Sequence, residues 1–486
     1  MSKFSNYLKY LIDRNQQSIA QLSRMSGVER TSIHKALTDE RTLAYTSVEK
    51  LALTLCLSPE EKKNLLCYHS MLLQGEDLFE SRQIITDIFQ ALAEIPVSAL
   101  TQKQKTLWFK SLSAPRDGQM FHGELAVTDI IKYILDQEVR HQNLPCIYLN
   151  FSLEETFLNK YMFRLYQQEK VFIDMYHIVP FPYRKNMETS ARYGLKLLEW
   201  LLPLCLVADN HYHPYFYYDH STVSYYSDPL PYFILVSDYL LCLSPDMKTA
   251  VIYNNQELIQ YYRQSTIDTM EECEPLLTCS TDPFDILKQY IDYSTVDGYY
   301  SVMAQPCFGK FYTREFIAKK VPKELPFYQP LVEAADQRFQ ILRNLKGNYY
   351  TVFTYEGLRT FCETGTFCDM PKEFVQKCTK EERLAIIQSL KADIADGSIT
   401  GLIVNPSRFR IPEYLTFTIS PDKGIHIFTT LMFEERAYHS NLHIIEPMIS
   451  KAFFDFIVSL PASEYVYSKE DTLNILDELI EYCSTI

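Results

Sequence analysis

Five side chains that could bind a metal ion lie within twelve residues of the sequence. They are Asp209, His211, His213, Asp219 and His220. Two histidines that are two positions apart on a strand point to the same face, as a metal site requires. Tyrosine and phenylalanine residues crowd the same stretch, and no cysteine or Glu-x-x-His pair completes a ligand set. We therefore expect polar positions on an aromatic strand, with neither a metal nor a cofactor.

A second chemically distinctive stretch, residues 29–35, is basic and polar. Arg30 and Lys35 can donate hydrogen bonds to guanine O6 and N7 in a DNA groove. Thr31 can contact a thymine methyl group, and Ser32 can donate or accept a hydrogen bond. A protein-binding helix is the alternative, but such a helix would present an apolar face. These residue types favour binding to DNA over binding to a protein.

Sequence motifs of several enzyme classes are absent. The chain has no GxxxxGK or GxGxxG phosphate loop and no GxSxG nucleophile turn. Its 12 cysteines include no CxxC pair, which argues against a zinc knuckle, and nothing pairs a particular cysteine with a histidine. We therefore assign no catalytic residue and no metal ligand.

The elements that must position the basic stretch are helices. Apolar residues at helical spacing predict five of them within residues 1–73, all before the first β-rich stretch. The first carries Phe4, Leu8, Leu11 and Ile12, and the others are expected over Ser18–Ser26 with Met25 facing inward, over Arg30–Leu37, from a Ser47 cap to Leu55, and from Ser58-Pro59-Glu60-Glu61 onward.

The segment Ser18–Leu37, SIAQLSRMSGVERTSIHKAL, resembles the helix-turn-helix of the Cro/lambda-repressor-like (Xre-type) family. In that motif two short helices cross steeply through a tight turn. Gly27 stands at the turn, Ser23 leaves room for the second helix, and Leu22, Val28 and Ile33 form the apolar contact. The resemblance covers about 70 residues and implies a DNA-binding transcriptional regulator.

The resemblance also implies which residues contact DNA. They are Ser18, Arg30, Thr31, Ser32, His34, Lys35 and Arg41. Because family members read paired half-sites, it further implies a homodimer on double-stranded DNA.

The charge distribution agrees with a local DNA contact. Residues 1–74 carry a net charge of +3 and the rest of the chain −17, which together make −14. An acidic remainder would stay clear of phosphate. No apolar N-terminal run resembles a signal peptide, and no 18-residue apolar span predicts a membrane helix. We therefore expect a cytoplasmic protein without membrane contact.

After the helical N-terminal residues 1–74 (the head), short β-rich runs alternate with amphipathic helices, which predicts an α/β body. Tyr239–Asp246 is echoed by Tyr414–Asp422, each a strand followed by a Ser-Pro-Asp turn. This echo indicates either an internal duplication or a chance similarity of common hairpins. The duplicated plan resembles the phospholipase-D-like bodies of some bacterial regulators. That family needs a His-x-Lys motif in each half, and none is present, so the resemblance implies a non-catalytic sensor.

The sequence thus predicts a multidomain protein with an all-α five-helix DNA-binding head and a large α/β body. The expected domains are the head at 1–74, a helical connector at 75–100, and two halves of the body at 101–290 and 291–486. The expected function is a sequence-specific transcriptional regulator without enzymatic activity, whose body dimerises or senses an effector (a small molecule or peptide). The alternative is an enzyme that acts on a phosphodiester or nucleotide and carries an appended helix-turn-helix domain.

Overall fold

The computed structural model describes residues 1–101, 114–151, 156–168, 173–182, 187–219, 229–282, 285–286, 288–289, 298–325, 327–370, 374–433 and 436–485. The chain divides into two compact units, Met1–Ile84 (the N-terminal unit) and Ile85–Ile486 (the C-terminal unit). Among the described helices, none combines the length and the apolar character needed to cross a membrane.

The N-terminal unit contains five complete helices, several of which begin at a polar cap. The helices are α1 (Lys3–Arg14), α2 (Ile19–Ser26), α3 (Arg30–Leu37), α4 (Tyr45–Thr54) and α5 (Pro59–Gln74). Ser2, Ser18 and Ser58 each accept a hydrogen bond from a backbone N–H of the first turn. Ser58 and Glu61 form the predicted capping box, with Pro59 in the first turn, so two N–H groups without helical partners are satisfied.

Two details of the predicted helices are wrong. Met25 is 65% exposed, because the eight-residue α2 buries a single side chain, Leu22. Ser47 does not cap α4, which begins at Tyr45 with Ala44 in the cap position. The backbone N–H of Ser47 donates to the Ala44 carbonyl over 2.9 Å, so Ser47 lies inside the first turn.

The connector is helical. It contains α6 (Glu76–Glu94) and α7 (Val97–Thr101), and the boundary between the two units falls within α6. The second half of α6 packs into the C-terminal unit, where Phe89 is completely buried. The Tyr414 hydroxyl donates to the Leu92 carbonyl over 2.9 Å. These contacts hold the second half of α6 against the rest of the C-terminal unit.

The C-terminal unit is built on two mixed sheets, which confirms the predicted α/β body. The first sheet contains β1 (Gln119–His122), β2 (Cys146–Asn150), β3 (Asp174–Pro182), β4 (Tyr212–Asp219), β5 (Tyr232–Leu235), β6 (Leu240–Leu243), β7 (Thr249–Tyr253) and β8 (Glu274–Pro275). Its strand order is β1-β7-β6-β5-β2-β3-β4-β8, with β2, β3 and β4 parallel to one another.

The second sheet follows the same plan. It contains β9 (Leu277–Ser280), β10 (Gly298–Val302), β11 (Asn348–Phe353), β12 (Thr400–Ile403), β13 (Leu415–Ser420), β14 (Gly424–Phe433) and β15 (Arg436–Ile444). Its order is β12-β11-β10-β13-β14-β15-β9, with β10, β11 and β12 parallel.

Helices connect and accompany the strands of both sheets. They are α8 (Glu124–His141), α9 (Thr156–Tyr166), α10 (Met187–Ala208), α11 (Gln256–Glu271), α12 (Arg314–Lys320), α13 (Tyr328–Arg343), α14 (Tyr355–Thr364), α15 (Lys380–Asp396), α16 (Pro447–Ser459) and α17 (Lys469–Thr485).

The two sheets share one topology, as an internal duplication would produce. When β9 takes the place of β1 and β10 to β15 take the places of β2 to β7, the strand orders coincide, except that the edge strand β8 has no counterpart among the described strands. The last strand of each set leads into a helix, α11 or α16. The sequence echo, however, pairs the wrong hairpins. Tyr239–Asp246 contains β6 and Tyr414–Asp422 contains β13, whereas the topological counterpart of β6 is β14. The duplication therefore rests on strand order and not on that echo.

Candidate functional site

The turn between α2 and α3 has the backbone geometry that the sequence predicted. Gly27 ends α2 with φ of 71°, in the left-handed region that favours glycine. The Ser23 hydroxyl donates to the Val28 carbonyl over 2.7 Å, which fixes the chain as it leaves the turn. Ser18 caps α2 and exchanges hydrogen bonds with Gln21, whose side chain accepts from the Ser18 N–H over 3.1 Å. The short α3 therefore leaves the turn in a defined direction.

The polar face of α3 is open to solvent. Arg30, Thr31, His34 and Lys35 are exposed, and Ser32 is half-buried. On the opposite side of the helix, as its periodicity dictates, Ile33 and Ala36 are buried.

The remaining candidate contacts lie near this face in sequence. Ser18 is exposed at the start of α2, and Arg41 is exposed after α3. Hydrogen bonds from Thr31 and then Ser32 lower the pKa of Glu29, which precedes α3. Five of the seven predicted DNA contacts thus share one helix, while their contact with DNA stays a prediction.

In the stretch that carries His211 and His213, both histidines lie near one aspartate. His211 Nδ1 lies 2.8 Å from Asp174 Oδ1, and His213 Nε2 lies 3.9 Å from the same oxygen. The His213 ring stacks on Tyr176 with centroids 4.8 Å apart, and burial lowers the pKa of His213. His220 and the side chains of Asp209 and Asp219 lie outside the described residues. Although Asp174, His211 and His213 are close together, no group of three such side chains within the described part of the chain is placed to hold a metal ion.

A cavity of about 720 Å³ lies under α13 in the second half of the C-terminal unit. We call it the α13 cavity. Helices α12 and α13, residues 367–370 and 374–375, and strands β13 to β15 supply its walls. The walls are largely apolar and include Phe316, Leu331, Ala335, Phe374 and Phe428.

Charged side chains interrupt the apolar wall. Arg338 of α13 lines the cavity and is 1% exposed. Lys320 also lines it, but its ammonium group pairs with Glu382 and donates to the Lys377 carbonyl over 2.8 Å. Burial raises the pKa of Asp369, another wall residue, and the charge of Arg338 partly opposes this shift. The cavity therefore combines apolar surface with a buried guanidinium and a carboxyl group.

A row of mostly buried polar side chains crosses the second sheet. Cross-strand neighbours place Thr351, Ser301, Thr418, His426 and His443 in one row across β11, β10, β13, β14 and β15. The first four are buried, and the two imidazole rings stack with centroids 4.0 Å apart. Such a row costs free energy unless its groups are hydrogen-bonded, and the Ser301 hydroxyl donates to that of Thr351 over 3.4 Å.

A second cavity of about 660 Å³ (the edge cleft) opens at the carboxyl ends of the parallel strands β10, β11 and β12. In open α/β sheets, this edge is where ligands usually bind. Arg410, Glu356 and Glu413 are exposed charged residues of its wall. Buried Gln305 donates to the Thr366 carbonyl over 3.0 Å and holds one side of the cleft.

Sequence reasoning missed both cavities, although one signal was readable. Leu331, Ala335, Arg338 and Leu342 recur at helical spacing in α13, so Arg338 interrupts an otherwise apolar stripe. A buried arginine on such a stripe is a rare feature that points to a pocket.

No family model matches the chain, and no curated protein sequence matches it. Among solved structures, the chain is similar to phosphatidylserine synthase from Haemophilus influenzae Rd KW20, with 8% identity and a TM-score of 0.22. The match covers 75% of this chain and 93% of that protein. These comparisons give the prediction of a transcriptional regulator without enzymatic activity no support, and the similar structure is that of an enzyme, the class of protein named in the alternative. At this TM-score it transfers no fold, substrate or residue role to this chain.

Proposed function

We propose that the N-terminal unit binds double-stranded DNA. The observation that carries the proposal is the exposed polar and cationic face of α3, which follows a left-handed turn at Gly27. A helix of eight residues is about 12 Å long, and the major groove is about 12 Å wide. Arg30 and Thr31 in the first turn would face base edges, and Arg41 would meet phosphate.

The first test removes two charges from this face. We expect the Arg30→Ala, Lys35→Ala double variant to bind a labelled pool of random 40-base-pair duplexes at least tenfold more weakly. Arg41→Ala, which removes the expected phosphate contact, should reduce the slope of log affinity against log salt by about 0.9. Fluorescence anisotropy of the full chain from low to moderate salt measures both quantities.

The matched control is Lys9→Ala, Lys63→Ala, which removes the same charge from exposed positions on α1 and α5. It should keep most of the affinity. Equal affinities for the two double variants, or no binding by the natural chain at low salt, would refute the proposal. Because helix-turn-helix proteins read paired half-sites, we also expect two chains per duplex at saturation of a selected site.

A second candidate function is an enzyme acting on a phosphodiester or nucleotide, with the helical bundle as an appended domain. The edge cleft favours it, because this edge of a parallel sheet is the usual ligand position and its wall carries Arg410, Glu356 and Glu413. Arg410 could bind a phosphate oxygen, and a carboxyl group could transfer a proton.

Turnover by the full chain tests this candidate. We expect release of 4-nitrophenol from bis(4-nitrophenyl) phosphate, or of phosphate from ATP, with and without Mg²⁺. Glu356→Gln or Glu413→Gln should lower the rate about 100-fold if that carboxyl group acts as the acid or base. The exposed Glu257→Gln, in the first half, serves as control. Rates at the level of the buffer blank, or rates unchanged in both cleft variants, would exclude the candidate at this cleft.

A further inference from the structure

We propose that the α13 cavity binds one uncharged organic molecule of largely apolar surface, such as a long-chain alcohol or a fused-ring compound. A helix face with small side chains, an aromatic wall fixed by its own packing, and charges that the chain already compensates define this ligand class. The site lies in the C-terminal unit and does not rest on either function proposed above.

Small side chains leave room for a ligand beneath α13. Leu331, Ala334 and Ala335 line the cavity at helical spacing, and all three are half-buried. Phe327 lines the same cavity and is 48% exposed. The volume of about 720 Å³ falls within the range of roughly 300–1,000 Å³ that is typical of small-molecule sites. Apolar side chains that remain accessible around a hollow favour a ligand over ordinary core packing.

Aromatic packing fixes part of the wall. The rings of Tyr312 and Phe316 stack with centroids 5.3 Å apart. Phe339 and Phe367 meet the Tyr312 ring nearly at right angles, with centroids 4.9 and 5.5 Å away. All four residues line the cavity. Because these contacts hold the rings in place before a ligand arrives, binding costs little side-chain entropy.

The charges in the wall are already compensated. Lys320 pairs with Glu382. Arg338 takes part in interactions within the chain, and its charge opposes the rise that burial causes in the pKa of Asp369. Lys288 is exposed to solvent, where water screens its charge. An anion or a cation that entered the cavity would therefore lose its hydration without gaining an unpaired countercharge.

The sheet side of the wall supplies a small number of hydroxyl groups. Thr416 is the cross-strand neighbour of Phe428, and Thr430 follows Phe428 by two positions on β14, so the three side chains share one face. The two hydroxyl groups could satisfy one alcohol or ether oxygen of a ligand. A sugar or a nucleotide would leave most of its polar groups unpaired against this largely apolar wall.

The neutral fluorescent probe N-phenyl-1-naphthylamine tests the site in the full chain. We expect its emission to rise and to saturate at one probe per chain. 1-Decanol should displace the probe, whereas decanoate and decyltrimethylammonium, which carry a similar chain with a negative or a positive charge, should need at least tenfold higher concentrations. No saturable binding of the probe, or displacement by either ion at the same concentration as 1-decanol, would overturn the proposal.

Two variants locate the bound probe. Ala335→Trp fills the cavity and should weaken binding at least tenfold, or about 1.4 kcal/mol. Its matched control, Ala392→Trp at an exposed position on α15, should bind as the natural chain does. Leu331→Asp places an uncompensated charge in the wall and should also weaken binding at least tenfold.

Circular dichroism establishes whether each variant is folded. Unchanged affinity in either folded cavity variant would show that the probe binds elsewhere, and the proposal would fail. If one of the two variants does not fold, the other variant and the displacement series decide.

Discussion

Replacing Phe89 with alanine is expected to lower the free energy of unfolding of the C-terminal unit by about 3–5 kcal/mol. Phe89 is completely buried, and its ring lies 4.6 Å from Phe417 and 5.3 Å from Phe409, measured between centroids. Phe453 and Phe456 complete the cluster at 6.1 and 6.3 Å. The substitution would remove the central ring of this cluster and leave a cavity that its neighbours cannot close.

Tryptophan fluorescence during urea unfolding reports the stability of the C-terminal unit. Both tryptophans of the chain, Trp108 and Trp200, fall within the C-terminal unit and none in the N-terminal unit. Tyr261→Ala is the control, because Tyr261 is 71% exposed and its loss should change stability by less than about 0.5 kcal/mol. A midpoint for Phe89→Ala that matches the control would contradict the assigned core.

The helices of the N-terminal unit could be predicted because their signals are local. Ser58, Pro59 and Glu61 specify a helix start within four residues, and Gly27 specifies a turn by a single backbone conformation. Where the local signal is weak, prediction failed. Ala44 offers no capping side chain, so the start of α4 was placed at Ser47, the nearest residue able to cap.

For the α/β body, the sequence predicts the fold class but not the strand order. Alternating strands and helices indicate an α/β fold, but strand order depends on pairings between residues far apart in sequence. Ser301, for example, pairs with Thr351 and with Thr418. The Ser-Pro-Asp echo reflected similar turns after β6 and β13, which hold different places in their sheets. Short turn motifs recur for local reasons and cannot identify equivalent strands.

The candidate sites also differ in whether their residues are close together in the sequence. The seven predicted DNA contacts came from a contiguous motif, whereas the α13 cavity collects residues from Phe316 to Ser440 that no spacing rule connects. Asp174, which contacts His211, is likewise 37 residues away. Sites assembled by tertiary packing become visible in a sequence only where a residue breaks its own element's pattern, as Arg338 does.

Lowering the pH from 7 to 5 is expected to destabilise the C-terminal unit by about 2 kcal/mol through His177 alone. His177 is fully buried, and its ring nitrogens lie 2.7 Å from the Tyr212 hydroxyl and 2.7 Å from the Phe151 carbonyl. The carbonyl can only accept, so Nε2 donates and Nδ1 accepts, which requires the neutral ring. Burial lowers the pKa of His177 to about 4.

Because the pKa of His177 is lowered by folding, acid destabilises the folded chain. In the unfolded chain the imidazole titrates near pH 6.5. Below that pH the unfolded state therefore binds a proton that the folded state does not bind. Stability is therefore lost as the pH falls from 6.5 toward 4. Burial, followed by the charge of His443, also lowers the pKa of His426, to about 3, and this adds a loss in the same direction.

Urea unfolding at pH 7 and at pH 5 separates the histidines from those carboxylates whose pKa is lowered by folding. Although burial opposes the shift, hydrogen bonds from Lys319 and Lys320 lower the pKa of Glu382 to about 2. The stability that such a group contributes is fully present above its unfolded pKa near 4.5 and is lost only as the pH falls below it. His177→Gln should lose about 2 kcal/mol of the difference between the two pH values, whereas His122→Gln, at an exposed position, should keep it. An unchanged difference in His177→Gln would mean that His177 accepts its proton in the folded chain, which a neutral ring held between Tyr212 and Phe151 does not allow.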